Sequence, residues 1–221
     1  MKKMWFILAV LLILGWNWNT HKGVVRSSFN QFPDELKSKL SLPLMEDGSL
    51  RPDKDFKDFT NHSYPKSIKA INYWFNISKN AYLNRDYKEA SISFGIASHY
   101  LSDSLAAPHS VSNEDYEDHK QYEDQALVEF KVKCSDINLE VEISNYYQEK
   151  KLEWAEWLKN KDAKYPEESS SEAANLVYSA GLQLFEIKCE NKIEEKKNYY
   201  WILILGLILI FIIAYCFRRY F

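Results

Sequence analysis

The sequence predicts an all-α domain, and three observations carry that prediction. Glycine is scarce, at 6 of 221 residues. No stretch sustains the apolar–polar alternation that a half-buried strand needs. Apolar residues instead recur at three- and four-residue steps, as in Ile68, Ile71, Trp74, Phe75 and Tyr82 behind Pro65, a residue suited to opening a helix. A break at Asn84-Arg85-Asp86 ends that helix, and the next runs from about Tyr87 to Ala107, where Pro108 stops it. Further helices fit Glu117–Lys131, Ile137–Lys159 and Glu167–Glu195. Lys161 to Ser171, with Pro166 and a serine run, reads as a loop. Leu42 to Tyr64, rich in Pro, Asp, Gly and Asn, reads as irregular. There is no internal repeat and no low-complexity tract, and the 15% aromatic content is core packing.

The two ends are hydrophobic in different ways. Residues 1–15 place Lys2 and Lys3 before an apolar run of about twelve residues and a small residue, Gly15, the pattern of a signal peptide. An uncleaved anchor is the other reading, since Ile13 is a poor residue at the usual small position before a cleavage point. Residues 199–217 form a transmembrane helix: Trp201 to Phe217 carry no charge, Tyr199, Tyr200 and Trp201 make an aromatic rim, and Arg218-Arg219 follow. At 1.5 Å per residue the span is about 28 Å, close to the hydrocarbon thickness. Residues 218–221 are then a cytoplasmic tail, and residues 16–197 an exported domain held at the cell membrane by a single pass. That domain is long enough for one substantial core.

The chain has 28 basic and 31 acidic residues. With Lys2, Lys3, Arg218 and Arg219 set aside, the excess of acid on the exported part grows. Such a surface repels phosphate polymers unless bound metal reverses the local field. The sequence shows no basic patch interleaved with aromatics, so nucleic acid is not the favoured partner. Of three cysteines, Cys216 lies in the span, whereas Cys134 and Cys189 lie in the exported part, either as a disulfide or as free thiols. Asn61-His-Ser and Asn76-Ile-Ser match the glycosylation pattern by chance, because a glycan at Asn61 would obstruct His62.

Only five histidines occur: His21, His62, His99, His109 and His119. His99 and Asp103 are four residues apart, as are His119 and Glu123, so each pair shares one helical face. Imidazole nitrogen with carboxylate oxygen is a zinc-binding donor set. Taken alone, such pairs are more often surface salt bridges.

A longer pattern weighs against that reading. Lys79 to His109, through Gly95-Ile-Ala-Ser-His99-Tyr-Leu-Ser-Asp103 to Pro108-His109, resembles the zinc-dependent bacterial phospholipases C, whose members carry G-x-x-x-H-Y-L-G-D followed by Pro and a second His. Ser102 stands where that family usually has Gly. The similarity extends more thinly from about Trp16 to Glu123. The resemblance implies a multi-helical domain with three zinc ions per chain. One zinc would take Asp53, His62, His99 and Asp103. Asp53 is the match because the Gly five residues before it aligns with a family Gly; Asp47, Asp55 and Asp58 are the other choices. A second would take His21, the other oxygen of Asp103, and the free amine and carbonyl of Trp16 as the mature terminus, a chelate also seen in the related zinc-dependent single-strand nucleases. Trp18 is a competing terminus. A third would take His109, His119 and Glu123, although the step from His109 to His119 is shorter than in the family.

The resemblance further implies a hydrolase of phosphoric ester bonds, with Asp53 as general base and catalytic residue beyond its ligand role. The expected substrate is a phospholipid cut between glycerol and phosphate. A nuclease of the related zinc family and a non-catalytic zinc-stabilised domain are the alternatives. Glu123 at the third site favours the phospholipase, while the short gap from Trp16 to His21 favours the nuclease.

Overall fold

The computed structural model describes residues 18–189. The expected signal peptide, Trp16 and the expected span at 199–217 fall outside the described residues. Among the described residues all regular structure is helical, and no helix is long and apolar enough to cross a membrane. The helices are α1 (Trp18–Gln31), α2 (Asp34–Lys37), α3 (Leu42–Gly48), α4 (Lys66–Leu83), α5 (Tyr87–Asp103), α6 (Tyr116–Asp124), α7 (Leu139–Asn160) and α8 (Lys164–Leu184). A π-helical turn at Pro52–Phe56 and a 3-10 turn at Ala107–Ser110 complete the order.

Helix α5 is the axis of the domain. Residues Ala90, Ser91 and Ser93 to Asp103 along it are all buried, with α1, α3, α4 and α8 packed around it. A helix buried on every side must satisfy its polar side chains locally. Here Ser91, Ser98 and Ser104 donate to the carbonyls of Tyr87, Phe94 and Tyr100, each four residues back, at 2.6–2.8 Å. Val24, Val25, Phe32, Leu36, Met45, Phe94, Leu101 and Val177 fill the surrounding core. A smaller cluster of Ala107, Tyr122, Trp154 and Trp157 lies beneath α6.

One close approach sets the geometry of the centre described below. A Cβ on Gly95 would lie 2.1 Å from the Met45 carbonyl oxygen, and one on Gly48 would lie 2.2 Å from that of Ile92. Only hydrogen fits between the backbones of α3 and α5, so both positions require glycine. The crossing carries Ser49 and the following π-helical turn up against the C-terminal half of α5.

Four sequence expectations are corrected. Leu42 to Tyr64 is not irregular throughout, since α3 and the π-helical turn lie within it. The helix expected over Glu117–Lys131 ends at Asp124. Beyond it the chain offers its amides to side chains on other helices: Leu127 N donates to Ser170 Oγ, Phe130 N to Ser27 Oγ, Lys133 N to Asn175 Oδ1 and Ser135 N to Ser179 Oγ. These partners meet the backbone's need for acceptors without a helix. The serine run at 169–171 is helical rather than a loop: Ser170 and Ser171 donate to the carbonyls of Pro166 and Glu167, four residues back, and Pro166 lies in the first turn of α8, where its missing N–H costs nothing. Helix α8 stops at Leu184. Cys134 and Cys189 form a disulfide across a sequence separation of 55.

Candidate metal centre

The centre is built around one carboxylate at the C-terminal end of α5. Asp103 is fully buried, and four histidines point at it: His62 Nδ1 at 3.0 Å, His99 Nε2 at 3.1 Å, His21 Nε2 at 3.4 Å and His109 Nε2 at 3.9 Å. Each comes from a different element. His21 lies on α1 and stacks on His99 of α5 with centroids 4.1 Å apart. His62 sits in the loop before α4, and His109 in the 3-10 turn after α5. Asp53, also fully buried, faces His99 Nε2 at 3.4 Å and His62 Nε2 at 3.6 Å.

A third group continues from His109. Its Nε2 is 3.8 Å from Glu123 Oε1, which in turn lies 2.7 Å from His119 Nε2. Four sets of ligand atoms therefore converge: His21, His99 and Asp103; Asp53, His62 and His99; His62, Asp103 and His109; and His109, His119 and Glu123.

These groups suit a cation rather than one another. Both oxygens of Asp53 and of Asp103, with Nε2 of His62, His99 and His109, are buried without a hydrogen bond. A buried polar atom left so costs about 1–3 kcal/mol, a cost that a bound cation would offset at all seven atoms together. Imidazole nitrogen and carboxylate oxygen are the donors Zn²⁺ takes.

Neighbouring residues aim the ligands. His99 Nδ1 donates to the Ser49 carbonyl at 2.8 Å, a contact the Gly48–Gly95 crossing creates, so Nε2 is turned to the carboxylates. Ser102 Oγ donates to the His99 carbonyl and accepts from His21 Nδ1 at 3.0 Å. The residue that departs from the family's Gly thus orients a candidate ligand. His119 Nδ1 meets Glu114 at 3.2 Å, placing a carboxylate behind that ring. Tyr100, whose hydroxyl donates to Asp58, packs edgewise against His62. Ser49 and Glu114 escape sequence reading because nothing in their type or spacing marks them, and Ser102 shows there only as a departure from the family's Gly; only the fold brings them to the rings.

Burial disfavours charge throughout the centre. It holds His21 near a pKa of about 4 and His109 near about 3, so both are neutral. At His99 burial is outweighed by Asp103 and Asp53, which raise it to about 10. Burial likewise opposes the charge of His119, yet Glu114 and Glu123 lift it to about 10. Burial lifts Glu123 to about 8 despite His119. Asp103 stays well below the ordinary range, because His99 and His21 overcome its desolvation.

Eight of the nine expected ligands thus converge, and Trp16 lies outside the described residues. Among the four aspartates open to the first group, Asp53 is the one brought in. Asp47 pairs with Arg51, Asp58 accepts from Tyr100 and Asn61, and Asp55 is exposed. No curated protein matches the chain. The zinc dependent phospholipase C family model matches residues 20–172, which takes in every described element from α1 to the first half of α8. With that match laid over a buried histidine–carboxylate cluster, the chain belongs to the zinc-dependent phospholipase C family, and with it to the hydrolases of phosphoric ester bonds.

Proposed function

We propose that the protein is an exported, membrane-anchored phosphodiesterase that cleaves the glycerol–phosphate ester of phospholipids at a trinuclear zinc centre. The observation carrying this reading is Asp103, a single buried carboxylate faced by four imidazoles, whose two oxygens can serve two cations at once. Asp53, His62, His99 and one Asp103 oxygen would hold one ion. His21, the other oxygen and the free amine and carbonyl of Trp16 would hold the second, and His109, His119 and Glu123 the third. Bound zinc would polarise the phosphoryl oxygens, lower the pKa of an attacking water and offset charge on the departing alkoxide.

The chain's own part is positioning and proton transfer. Asp53 has both oxygens free of hydrogen bonds and stands at the edge of the first group, which suits it to accept the proton of the attacking water. Ser49 and Ser102 fix the rings of His99 and His21 before substrate arrives. Support for export comes from the Cys134–Cys189 disulfide, which persists in oxidising compartments, and from the signal pattern of residues 1–15. Support for the anchor comes from the apolar run at 199–217.

The nuclease reading keeps one specific observation, the short step from Trp16 to His21. The zinc-loaded full chain assayed on phosphatidylcholine and on single-stranded DNA separates the two. Diacylglycerol and phosphocholine are the expected products, and DNA cleavage without lipid cleavage would overturn the reading. N-terminal sequencing of the exported protein should begin at Trp16; a start at Trp18 would remove Trp16 from the second group.

A further inference from the structure

We propose that the exposed aromatic and lysine side chains of residues 54–73 form a docking face for an anionic phospholipid bilayer. The proposal rests on the phospholipase reading above. Phe56 is 43% exposed, Phe59 50% and Tyr73 60%, large apolar groups left in water on one segment. Phe56 and Tyr73 are joined through Trp74: Phe56 stacks on Trp74 with centroids 5.6 Å apart, and Trp74 meets Tyr73 edge-on at 5.2 Å, so the π-helical turn and α4 share one aromatic surface.

Four lysines lie on the same two elements and the loop between them. Lys54, Lys57, Lys66 and Lys69 are exposed, and among the described residues none pairs with a carboxylate. Lys66, Lys69 and Tyr73 are spaced i, i+3, i+7 and so line one stripe of α4. The linear sequence conceals this face, because Lys54-Asp-Phe-Lys-Asp-Phe59 alternates acid with base. In the fold Asp58 turns to Tyr100, Asn61 and Thr60, leaving Asp55 as the exposed acid between residues 54 and 73.

A basic face on a chain of net charge −3 is a local choice of partner. Aromatic rings with lysines around them suit the boundary between acyl chains and acidic headgroups, the rings entering while the ammonium groups stay at the phosphates. The same turn offers Phe56 outward and Asp53 inward, three residues apart, so a bilayer on this face lies beside the turn that supplies the centre. A single-stranded nucleic acid would use the same charges and stack on the same rings. The bilayer is favoured because the family's substrate resides there.

The test uses the full chain in neutral detergent micelles carrying phosphatidylcholine, with or without phosphatidylglycerol. Turnover of micellar lipid is compared with that of a soluble short-chain phosphatidylcholine. Phe56→Ser combined with Tyr73→Ser should lower micellar turnover about tenfold or more and leave soluble turnover unchanged. Lys57→Glu combined with Lys69→Glu should abolish stimulation by phosphatidylglycerol, worth about fivefold per lysine. Quenching of Trp74 by brominated phosphatidylglycerol, taken as the difference between wild type and Trp74→Phe, reports docking without turnover. Equal losses on both substrates, no loss on either, or no Trp74 quenching would overturn the docking face, as would tighter binding of single-stranded DNA than of phosphatidylglycerol through the same lysines. Quenching with no lipid hydrolysis would instead overturn the phospholipase reading and leave the docking face standing.

Discussion

At the scale of single residues, Asp103 has the largest consequence. Asp103→Asn keeps its volume but removes the charge that two cations would share, so hydrolysis should fall by orders of magnitude and bound zinc should drop. Ser104→Ala, one position further on, removes a hydroxyl that donates back to the Tyr100 carbonyl and should be nearly silent. Comparable activity in the two variants would show the carboxylate to be an ordinary buried charge. A subtler test is Ser102→Ala, which removes the acceptor of His21 Nδ1. Loss of such an outer contact weakens metal binding by about 10–100-fold, and zinc titration of the variant should show one weakened ion per chain. The candidate ligands were readable in sequence because histidine is rare and the α5 motif is specific. Ser102 was readable only as a departure, since its partner lies 81 positions away.

Elements decide how rigidly the third group is held. Helix α6 has nine residues and carries both His119 and Glu123, too short to be stable alone. It is pinned by Tyr122, fully buried against Trp154 and Trp157, whose hydroxyl donates to Glu153 of α7. Glu153 also accepts from Ser169 and from the buried Lys150. Tyr122→Phe keeps the packing and removes one of three donors to the half-buried Glu153, at a cost of about 1 kcal/mol. The melting temperature should fall, and the zinc proposed for His109, His119 and Glu123 should be the first lost to a weak chelator. Uniform retention of all zinc would show that this network does not support the third group. Periodicity revealed α4, α5 and α7 to within a few residues. It missed α1 and α3, and it overran α6, because the amides after Asp124 are satisfied by Ser27, Ser170, Asn175 and Ser179, contacts between distant segments that no local pattern records.

Across the whole molecule, metal and disulfide are the constraints that folding adds to the core. In the chain-entropy account a link closing a loop of this length stabilises by about 4 kcal/mol, so Cys134→Ser combined with Cys189→Ser should melt well below wild type while keeping its zinc. Metal uptake should also release protons. Without metal, His99 and His119 stay charged up to a pKa of about 10 and Glu123 stays protonated up to about 8, whereas zinc would take neutral rings and a carboxylate, so binding near neutral pH should expel protons from these groups. Titration calorimetry in buffers of different ionisation enthalpy should show that release, and its absence would mean that these rings are not ligands. The most direct measurement of the central claim is made on the full chain: zinc per chain and phosphatidylcholine hydrolysis, before chelation, after chelation and after zinc is returned. Three ions per chain, lost together with activity and restored with it, is the predicted result; hydrolysis indifferent to chelation, or a zinc-loaded chain that leaves the lipid intact, would contradict it.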